Sequence, residues 1–338
     1  MEIKTYAPVI IPTLNRFDHF RRLIESLARC THANKTEVVI GLDYPPSEKY
    51  VEGYEKIKTY LPTITGFKKI TVFTTVQNLG QGKNMKRCFD YVFQHYDRCI
   101  CSEDDNEVSP CFLDYMNKAL GIFKDDPKVV SVSGYNHREF YNQGKYKAYY
   151  TKDSCAWGVG FWQTKETTIL NLLNDNNYFK SVVHSYFKSK KIVDIYPALY
   201  SMLDTMIKRN VSWGDVKRTT INILEGYYQI QPAISLVRNN GFDGSGEHCG
   251  IDENWGMQEI SKELIFDFSE DIGPFDTDTN KKALYCQCLS KENRESDLYR
   301  IRQILYENTL PFYTEYKLFR HYVHITRIAI CKKLGVIK

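Results

Sequence analysis

The stretch Arg98-Cys-Ile-Cys-Ser-Glu-Asp-Asp-Asn-Glu-Val-Ser-Pro110 joins a short apolar segment to three acids and then to a predicted helix start. The apolar part is typical of a buried strand, and Ser109-Pro110 is typical of the cap and first residue of a helix. Carboxylates at a strand mouth repel one another unless a hard cation such as Mg²⁺ or Mn²⁺ bridges them to another anion, for instance a diphosphate. The alternative interpretation is that these acids only complement the positive N-terminal end of a helix.

The same order of strand and helix recurs through the first 135 residues. Segments rich in Val, Ile and Thr alternate with segments whose apolar residues repeat at helical spacing. Strands are predicted near residues 7–12, 36–42, 68–75, 98–102 and 129–134, and helices around residues 17–27, 85–96 and 112–123. This βαβ series predicts an α/β fold with a mostly parallel, Rossmann-like sheet and helices on both faces.

Parallel sheets bind ligands beyond the carboxyl ends of their strands, and those ends are polar in this sequence. The candidate residues there are Thr13, Asn15, Arg16, Asp43, Lys83, Glu103, Asp104 and Asp105. Any one of them is typical of an ordinary loop or cap, but four polar strand ends on one edge indicate a ligand site. The run Gly80-Gln-Gly82-Lys83 predicts a plain strand-to-helix turn, with Lys83 as a candidate contact to a diphosphate.

The region from about residue 136 to 255 is rich in aromatic residues and glycine, and it predicts irregular substrate loops over the scaffold. Trp162 is interpreted as a core residue and Trp157 as a contact to a saccharide acceptor. The glycine-rich segment 241–250 predicts a loop that orders over a bound ligand, which would bring His248 to a metal or phosphate. A lone histidine is more commonly a packed or surface residue.

The bulk composition is that of an ordinary globular protein, with 338 residues, 43% hydrophobic content and a net charge of +4. The N-terminus predicts no cleaved signal peptide, and no segment reaches transmembrane length. The ten cysteines contain no CxxC pair, so we expect reduced thiols in a cytoplasmic protein rather than a zinc site or a disulfide framework.

The charge is concentrated in the tail, where residues 315–338 carry six Lys or Arg against one acid. The rest of the chain is close to neutral, which argues against a nucleic-acid-binding protein. The tail pattern predicts a basic amphipathic helix, which either lies on an anionic membrane or packs its apolar stripe on the domain.

Taken together, several motifs resemble the nucleotide-sugar glycosyltransferases of the GT-A fold over residues 7 to 250. The similarity is greatest to family 2 type bacterial enzymes and to the N-acetylglucosaminyltransferase I group, both of which are inverting. The motifs are Val9-Ile-Ile-Pro-Thr-Leu-Asn-Arg16, Asp43, Asn78-Leu-Gly80, Ser102-Glu-Asp-Asp-Asn-Glu-Val-Ser-Pro110, Ala156-Trp-Gly158 and Gly244-Ser-Gly-Glu-His248.

The resemblance implies a role for each matching position. Asp105 would bind Mn²⁺ or Mg²⁺, and Glu103 and Asp104 would contact the ribose and the donor sugar. Thr13 to Arg16 and Asp43 would line the nucleoside pocket. Trp157 and Gly158, in the Ala156-Trp-Gly158 motif, are the candidate acceptor contacts.

Inversion also requires a carboxylate that takes the proton from the attacking hydroxyl. We expect Asp215, in Ser212-Trp-Gly-Asp215, to be this base, because relatives carry a carboxylate or polar residue in a similar tryptophan-bearing segment. Relatives often have Ser-Trp-Asp without the inserted Gly214, so Asp153 remains a rival. Asp215 is also typical of a helix cap.

The resulting hypothesis is a metal-dependent inverting glycosyltransferase that acts on a saccharide acceptor, lipid-linked or not, in surface polysaccharide or lipopolysaccharide synthesis. The expected domains are a nucleotide-sugar-binding half at 1–135, an acceptor-side half at 136–310 and the C-terminal helix at 311–338. The alternatives are a sugar nucleotidyltransferase and a non-catalytic carbohydrate-binding protein on the same fold. The expected location is the cytoplasm, with peripheral contact to the inner face of the cytoplasmic membrane.

Overall fold

The computed structural model describes residues 5–136, 146–246, 259–269 and 271–276, together with residues 316, 318–324, 326–328, 330, 331 and 333. The chain divides into two compact units. The first unit comprises residues 1–151, 155–166 and 228–274, and the second comprises residues 152–154, 167–227 and 275–338.

The first unit is built on an eight-stranded sheet of order β3-β2-β1-β4-β8-β6-β9-β7. Its strands are β1 (Val9–Thr13), β2 (Glu37–Leu42), β3 (Lys69–Phe73), β4 (Arg98–Cys101), β6 (Val129–Ser133), β7 (Ala148–Thr151), β8 (Val159–Trp162) and β9 (Tyr228–Pro232). Strands β3, β2, β1 and β4 are parallel, as are β6 and β9, whereas β8 and β7 run antiparallel to their neighbours. The predicted mostly parallel α/β sheet is confirmed.

Helices connect the parallel strands and cover the sheet, as the periodicity predicted. The first unit contains α1 (Phe17–Ala28), α2 (Val51–Tyr60), α3 (Gly80–His95), α4 (Phe112–Ile122) and a small antiparallel sheet of β5 (Asn106–Val108) and β10 (Val237–Asn239). Alternate residues of β1 point to opposite faces: Ile10 joins the core under α3, and Val9 and Ile11 join the larger core under α1 and α4. Burial on both faces explains why these strands are almost continuously apolar.

Two glycines bring these helices close to the sheet and its loops. A Cβ atom at Gly41 of β2 would lie 2.8 Å from both Asn84 Oδ1 and Cys88 Sγ of α3. A Cβ atom at Gly53, inside α2, would lie 1.8 Å from the backbone oxygen of Asn15. These approaches hold α3 and the loop after β1 in place at the edge where ligands are expected.

Two predictions about local structure were wrong. Helix α4 begins at Phe112, not at Pro110, and the hydroxyl of Ser109 donates to the backbone oxygen of Ser261 at 2.6 Å instead of capping a helix. The described part of the region predicted to be irregular contains five helices, which are α5 (Gln163–Leu173), α6 (Asn176–Val183), α7 (Tyr186–Ile195), α8 (Pro197–Arg209) and α9 (Gly214–Glu225). Asp175 and Ser185 cap α6 and α7 by accepting backbone N–H groups.

The C-terminal residues that the structure describes, between 316 and 333, are helical and belong to the second unit. Leu318 is buried, and the ring of Tyr322 lies 5.6 Å from that of Tyr186. Phe319 and Val323 are exposed, so the apolar stripe is only partly covered. No described helix is long and apolar enough to cross a membrane.

The cysteines that the structure describes lie mostly in the core. Six are buried, Cys331 is half-buried, and none of these seven forms a disulfide. The buried thiols are Cys30, Cys88, Cys99, Cys101, Cys111 and Cys155. Trp162 is also buried, as predicted, and its indole nitrogen donates to the backbone oxygen of Leu120.

Candidate active site

The carboxyl ends of β1 and β4 place two adjacent acids against one arginine. Asp104 and Asp105 are 6% and 5% exposed. The guanidinium of Arg16 uses one terminal nitrogen on each: Nη2 donates to Asp104, and Nη1 lies 2.8 Å from Asp105 Oδ2. Thr13, the last residue of β1, donates its hydroxyl to Asp104 Oδ2 at 2.8 Å. Two separate motifs therefore meet at one edge of the sheet, the first contributing Thr13 and Arg16 and the second contributing the two acids.

The charges of this group are not balanced, because two buried carboxylates share one guanidinium. Burial raises the pKa of Asp104, while the charge of Arg16 lowers it and the charge of Asp105 raises it further; the pKa is raised overall. For Arg16, burial lowers the pKa, but the charges of both acids outweigh it and the pKa is raised. The net negative charge at this edge is suited to a cation.

The segment after β10 holds Asp105 from the opposite side. Asn239 Nδ2 donates to Asp105 Oδ1 at 3.1 Å, and the backbone N–H of Asn240 donates to the backbone oxygen of Asp105 at 2.9 Å. The Gly241 N–H donates in turn to Asn239 Oδ1 at 2.7 Å. The sequence analysis identified this segment as a loop but missed Asn239, the last residue of β10, and Asn240, which follows it.

Asp43, after β2, organises the start of α3. Its Oδ1 accepts the backbone N–H groups of Tyr44 and Leu79, both at 2.9 Å, and its Oδ2 accepts from Asn78 Nδ2 at 3.2 Å. Arg87, which the sequence analysis did not identify, donates to the backbone oxygens of Leu42, Phe73 and Thr74. These two side chains fix the ends of β2 and β3, and a role for Asp43 in the nucleoside pocket stays a prediction.

The other predicted donor contacts surround this edge. The prediction that Gly80-Gln-Gly82-Lys83 forms a strand-to-helix turn was wrong, because these residues are the first turn of α3, where Gly80 has a φ of 74° and Lys83 is exposed. Asn15 and Glu103 are half-buried in the loops that follow β1 and β4. The structure thus brings Thr13, Arg16, Asp104 and Asp105 into direct contact and leaves the roles of Lys83, Asn15 and Glu103 as predictions.

Trp157 belongs to an aromatic cluster beside the glycine-rich segment. Its ring packs edge-on against Tyr135 and Phe242, with ring centroids 4.6 and 5.7 Å away. Phe242 directly follows Gly241, so this cluster connects Trp157 to the loop that holds Asp105. Gly158 has a φ of 65° and is buried, and a Cβ atom there would lie 2.7 Å from Val237 Cγ2. The acceptor roles of Trp157 and Gly158 stay predictions.

Both candidates for the base lie in the second unit. Asp215 is exposed in the first turn of α9, and Trp213 rather than Asp215 occupies the N-cap position. Thr219 Oγ1 lies 3.4 Å from Asp153 Oδ1 and accepts the backbone N–H of Ser154. Because Asp215 and Thr219 are four residues apart on one helix, they share a face of α9. The two rivals therefore border the same side of this helix.

His248 lies outside the residues that the structure describes, so its predicted contact to metal or phosphate is not tested. The described start of the glycine-rich segment is held by another histidine. His19 Nε2 of α1 lies 2.9 Å from Asp243 Oδ2 and 3.2 Å from Ser245 Oγ. Burial raises the pKa of Asp243, but hydrogen bonds from Ser245 and the charge of His19 lower it overall.

Asp104 and Asp105 offer hard oxygen donors of the kind that Mg²⁺ and Mn²⁺ prefer. In the described part of the chain, no group of three or more His, Cys, Asp or Glu side chains is placed to hold a metal ion. A cation at Asp105 would therefore need further oxygen ligands, which a diphosphate can supply. The chemistry of the pair fits such a cation in partnership with a phosphorylated ligand.

The chain matches the family described as "Glycosyl transferase family 2" over residues 9–192, which is more than half of its length. The chain belongs to glycosyl transferase family 2. The predicted GT-A fold of family 2 type is confirmed. A search of curated protein sequences finds no significant match.

Solved structures of glycosyltransferases resemble this family 2 protein only distantly. TarS of S. aureus is 14% identical with a TM-score of 0.31, and the match covers 50% of this chain and 30% of that one. A mannosyltransferase from Pyrobaculum calidifontis, in complex with GDP-Man and Mn²⁺, is 14% identical with a TM-score of 0.36 and coverage of 66% and 75%. The bifunctional enzyme WbbM is 12% identical with a TM-score of 0.30 and coverage of 50% and 34%. The chain thus matches about a third of the length of TarS, and the family assignment does not depend on these structures.

Proposed function

We propose that this protein is a metal-dependent inverting glycosyltransferase that moves a sugar from a nucleotide diphosphate-sugar to a saccharide acceptor in surface polysaccharide or lipopolysaccharide synthesis. The observation that supports the proposal is the buried pair Asp104–Asp105, which follows β4 and shares the single counter-ion Arg16. A buried, net negative group at the carboxyl edge of a parallel sheet is costly for folding and suited to a cation–diphosphate ligand.

Departure of the nucleotide develops negative charge on the diphosphate. Asp105 would hold Mn²⁺ or Mg²⁺ here, and such a cation acts as a Lewis acid that stabilises this charge. Thr13, Asn15, Arg16, Asp43, Lys83, Glu103 and Asp104 are proposed to bind and orient the nucleotide-sugar around it. When several fixed groups orient the donor, its translational and rotational entropy is lost on binding and no longer adds to the barrier of the chemical step.

For the base we propose Asp215, which would accept the proton of the attacking hydroxyl. Its exposed position at the start of α9 leaves the carboxylate accessible. Asp215→Asn should preserve donor binding and lower kcat on the order of 10²–10⁴-fold, because an amide cannot accept the proton. Asp153→Asn is the matched comparison: an inactive Asp153 variant beside an active Asp215 variant would assign the role to Asp153.

The acceptor side is proposed to include Trp157 and Gly158, and the C-terminal helix is proposed to contact an anionic membrane that carries a lipid-linked acceptor, on the cytoplasmic face. Exposed Phe319 and Val323 beside Arg320 and Arg327 support that orientation. Binding of the intact protein to phosphatidylglycerol vesicles at low salt tests it. If the intact protein does not bind these vesicles, and removal of residues 315–338 lowers the melting temperature, the helix packs on the domain instead.

The activity is tested by incubating the protein and Mn²⁺ with UDP-, GDP-, dTDP- and CMP-sugars, separately, and measuring the release of the free nucleotide with and without candidate acceptors. Acceptor-stimulated release of nucleoside diphosphate from one sugar nucleotide is expected. Release of pyrophosphate from a nucleoside triphosphate and a sugar phosphate, with no turnover of any sugar nucleotide, would contradict the proposal.

A further inference from the structure

We infer that Arg16 is an exchangeable counter-ion, which partly neutralises the acid pair before the donor binds and transfers to the donor diphosphate when a cation is held at Asp105. This inference rests on the proposed function. Arg16 would then couple metal binding to nucleotide binding, rather than only line the nucleoside pocket.

Each oxygen of the acid pair already has a protein donor. Asp104 accepts from Thr13 Oγ1 on one oxygen and from Arg16 Nη2 on the other. Asp105 accepts from Asn239 Nδ2 on Oδ1 and pairs with Arg16 Nη1 on Oδ2. Of these partners, the carboxylates share only Arg16, and its side chain is 22% exposed where theirs are 8% and 7%. The guanidinium is therefore the charged partner that reaches the surface of the site.

Two cations cannot occupy Asp105 Oδ2 together at low cost. Like charges this close repel one another strongly in a partly buried site, and the repulsion doubles when one of the two ions is divalent. The other partners of the acids, Thr13 and Asn239, are neutral and can stay. Arg16 is thus the group that has to move when a divalent cation binds.

A diphosphate can replace the carboxylates as the partner of Arg16, because a guanidinium binds phosphate oxygens and carboxylate oxygens with the same planar set of N–H donors. Arg16 lies three residues after Thr13, the end of β1, and immediately before α1. Because the strand and the helix hold its backbone on both sides, the side chain can turn while the backbone stays in place. Cation and diphosphate should therefore bind synergistically. The diphosphate draws Arg16 away from the cation and so relieves their repulsion, and the cation releases Arg16 from the acids so that it can bind the diphosphate.

The experiment measures Mn²⁺ affinity by electron paramagnetic resonance for wild type, Arg16→Ala and Arg16→Lys, alone and with saturating UDP or GDP. Wild type should bind Mn²⁺ weakly alone and at least about tenfold more tightly with one of the nucleotides. Arg16→Ala should bind Mn²⁺ alone more tightly than wild type, while its gain from nucleotide shrinks. Arg16→Lys retains a charge without the fork and should fall between them.

Arg22→Ala, at an exposed position of the same helix, is the matched control and should behave as wild type. If Arg16→Ala and Arg16→Lys, folded by circular dichroism, both bind Mn²⁺ with wild-type affinity and keep the full nucleotide effect, the counter-ion inference is wrong and the proposed function stands. If wild type binds no Mn²⁺ with or without either nucleotide, the metal-dependent function and the inference fail together.

Discussion

A single buried carboxylate at the amino ends of the parallel strands differs from the acid pair at their carboxyl ends in how its charge is compensated. At the amino end, Glu37 of β2 accepts from Thr71, Tyr91 and Tyr96 and pairs with Lys69 at 3.1 Å. At the carboxyl end, Asp104 and Asp105 share Arg16. One acid has a full set of donors and its own cation, whereas two acids divide a single cation.

The pKa values follow this difference. Burial raises the pKa of Glu37, but hydrogen bonds from Thr71, Tyr96, Lys69 and Tyr91 outweigh it and lower the pKa from 4.5 to about 2. The pKa of Asp104 is raised instead, because burial dominates. A carboxylate with its own cation stabilises the fold, whereas two carboxylates that share one cation cost stability and are suited to a ligand. The comparison therefore predicts a structural role for Glu37 and a functional role for the acid pair.

The largest expected effect is at the carboxyl end. Asp105→Asn should lower kcat about 10³-fold, since a Lewis-acid cation contributes several kcal/mol to the transition state. The melting temperature should change little or rise, because one of two competing charges is removed. Initial-rate kinetics and calorimetry of the variant check both outcomes. A kcat of Asp105→Asn equal to that of wild type would show that Asp105 has no role in catalysis.

The next effect concerns the loop that holds Asp105. A Cβ atom at Gly241 would lie 2.2 Å from Asp105 Oδ2, so Gly241→Ala should displace the carboxylate and lower kcat/KM about 10²-fold. Gly82→Ala is the matched control, because a Cβ atom there meets nothing within 4 Å inside α3. That variant should keep its activity and gain up to about 1 kcal/mol in stability. Equal kinetics for the two alanine variants would show that the loop does not position Asp105.

The amino-end acid should affect stability without affecting turnover. Glu37→Gln should lower the free energy of unfolding at pH 7 by about 2 kcal/mol, the usual value for hydrogen bonds to a charged group. Its kcat should remain that of wild type, because Glu37 lies at the end of β2 remote from Asp43. Urea unfolding and steady-state kinetics provide the two readouts. A tenfold fall in kcat with unchanged stability would reverse the assignment.

The smallest expected effect is the pH dependence of the difference in unfolding free energy between wild type and Glu37→Gln. The pKa of Glu37 is lowered in the folded protein to about 2 from 4.5, so its stabilisation is complete above pH 4.5 and is lost as the pH falls toward 2. The gap in unfolding free energy between wild type and Glu37→Gln should therefore shrink across this window. Parallel urea titrations at stepwise lower pH measure it. A gap that widens on acidification would contradict the lowered pKa.

Sequence reasoning succeeded where the signal is local. Strands β1 to β4 and β6 and helices α1, α3 and α4 follow from apolar periodicity, and the polar strand ends identified the edge that holds the acids. Helices α5 to α9 were missed because aromatic residues and glycines suggested loops, and the start of α4 was misplaced because Ser109 is used by a residue 152 positions away.

The arrangement of the site could not be predicted, because it depends on contacts between distant residues. Arg16 and Asp104 are 88 residues apart, and Asn239 and Asp105 are 134 apart. The sequence shows that an arginine and two acids exist at strand ends, but not that they pair. Nor does it show that Glu37 is saturated, since its partners come from β3, α3 and the residue after α3.

The most direct test of the comparison is the thermal shift produced by UDP or GDP with Mn²⁺ in wild type, Asp105→Asn and Glu37→Gln. If Asp105 binds the cation and Glu37 only stabilises the fold, the nucleotide should raise the melting temperature of wild type and Glu37→Gln by the same amount, and only with Mn²⁺ present. The melting temperature of Asp105→Asn should not change when the nucleotide is added. Equal Mn²⁺-dependent protection of Asp105→Asn and wild type would contradict the account.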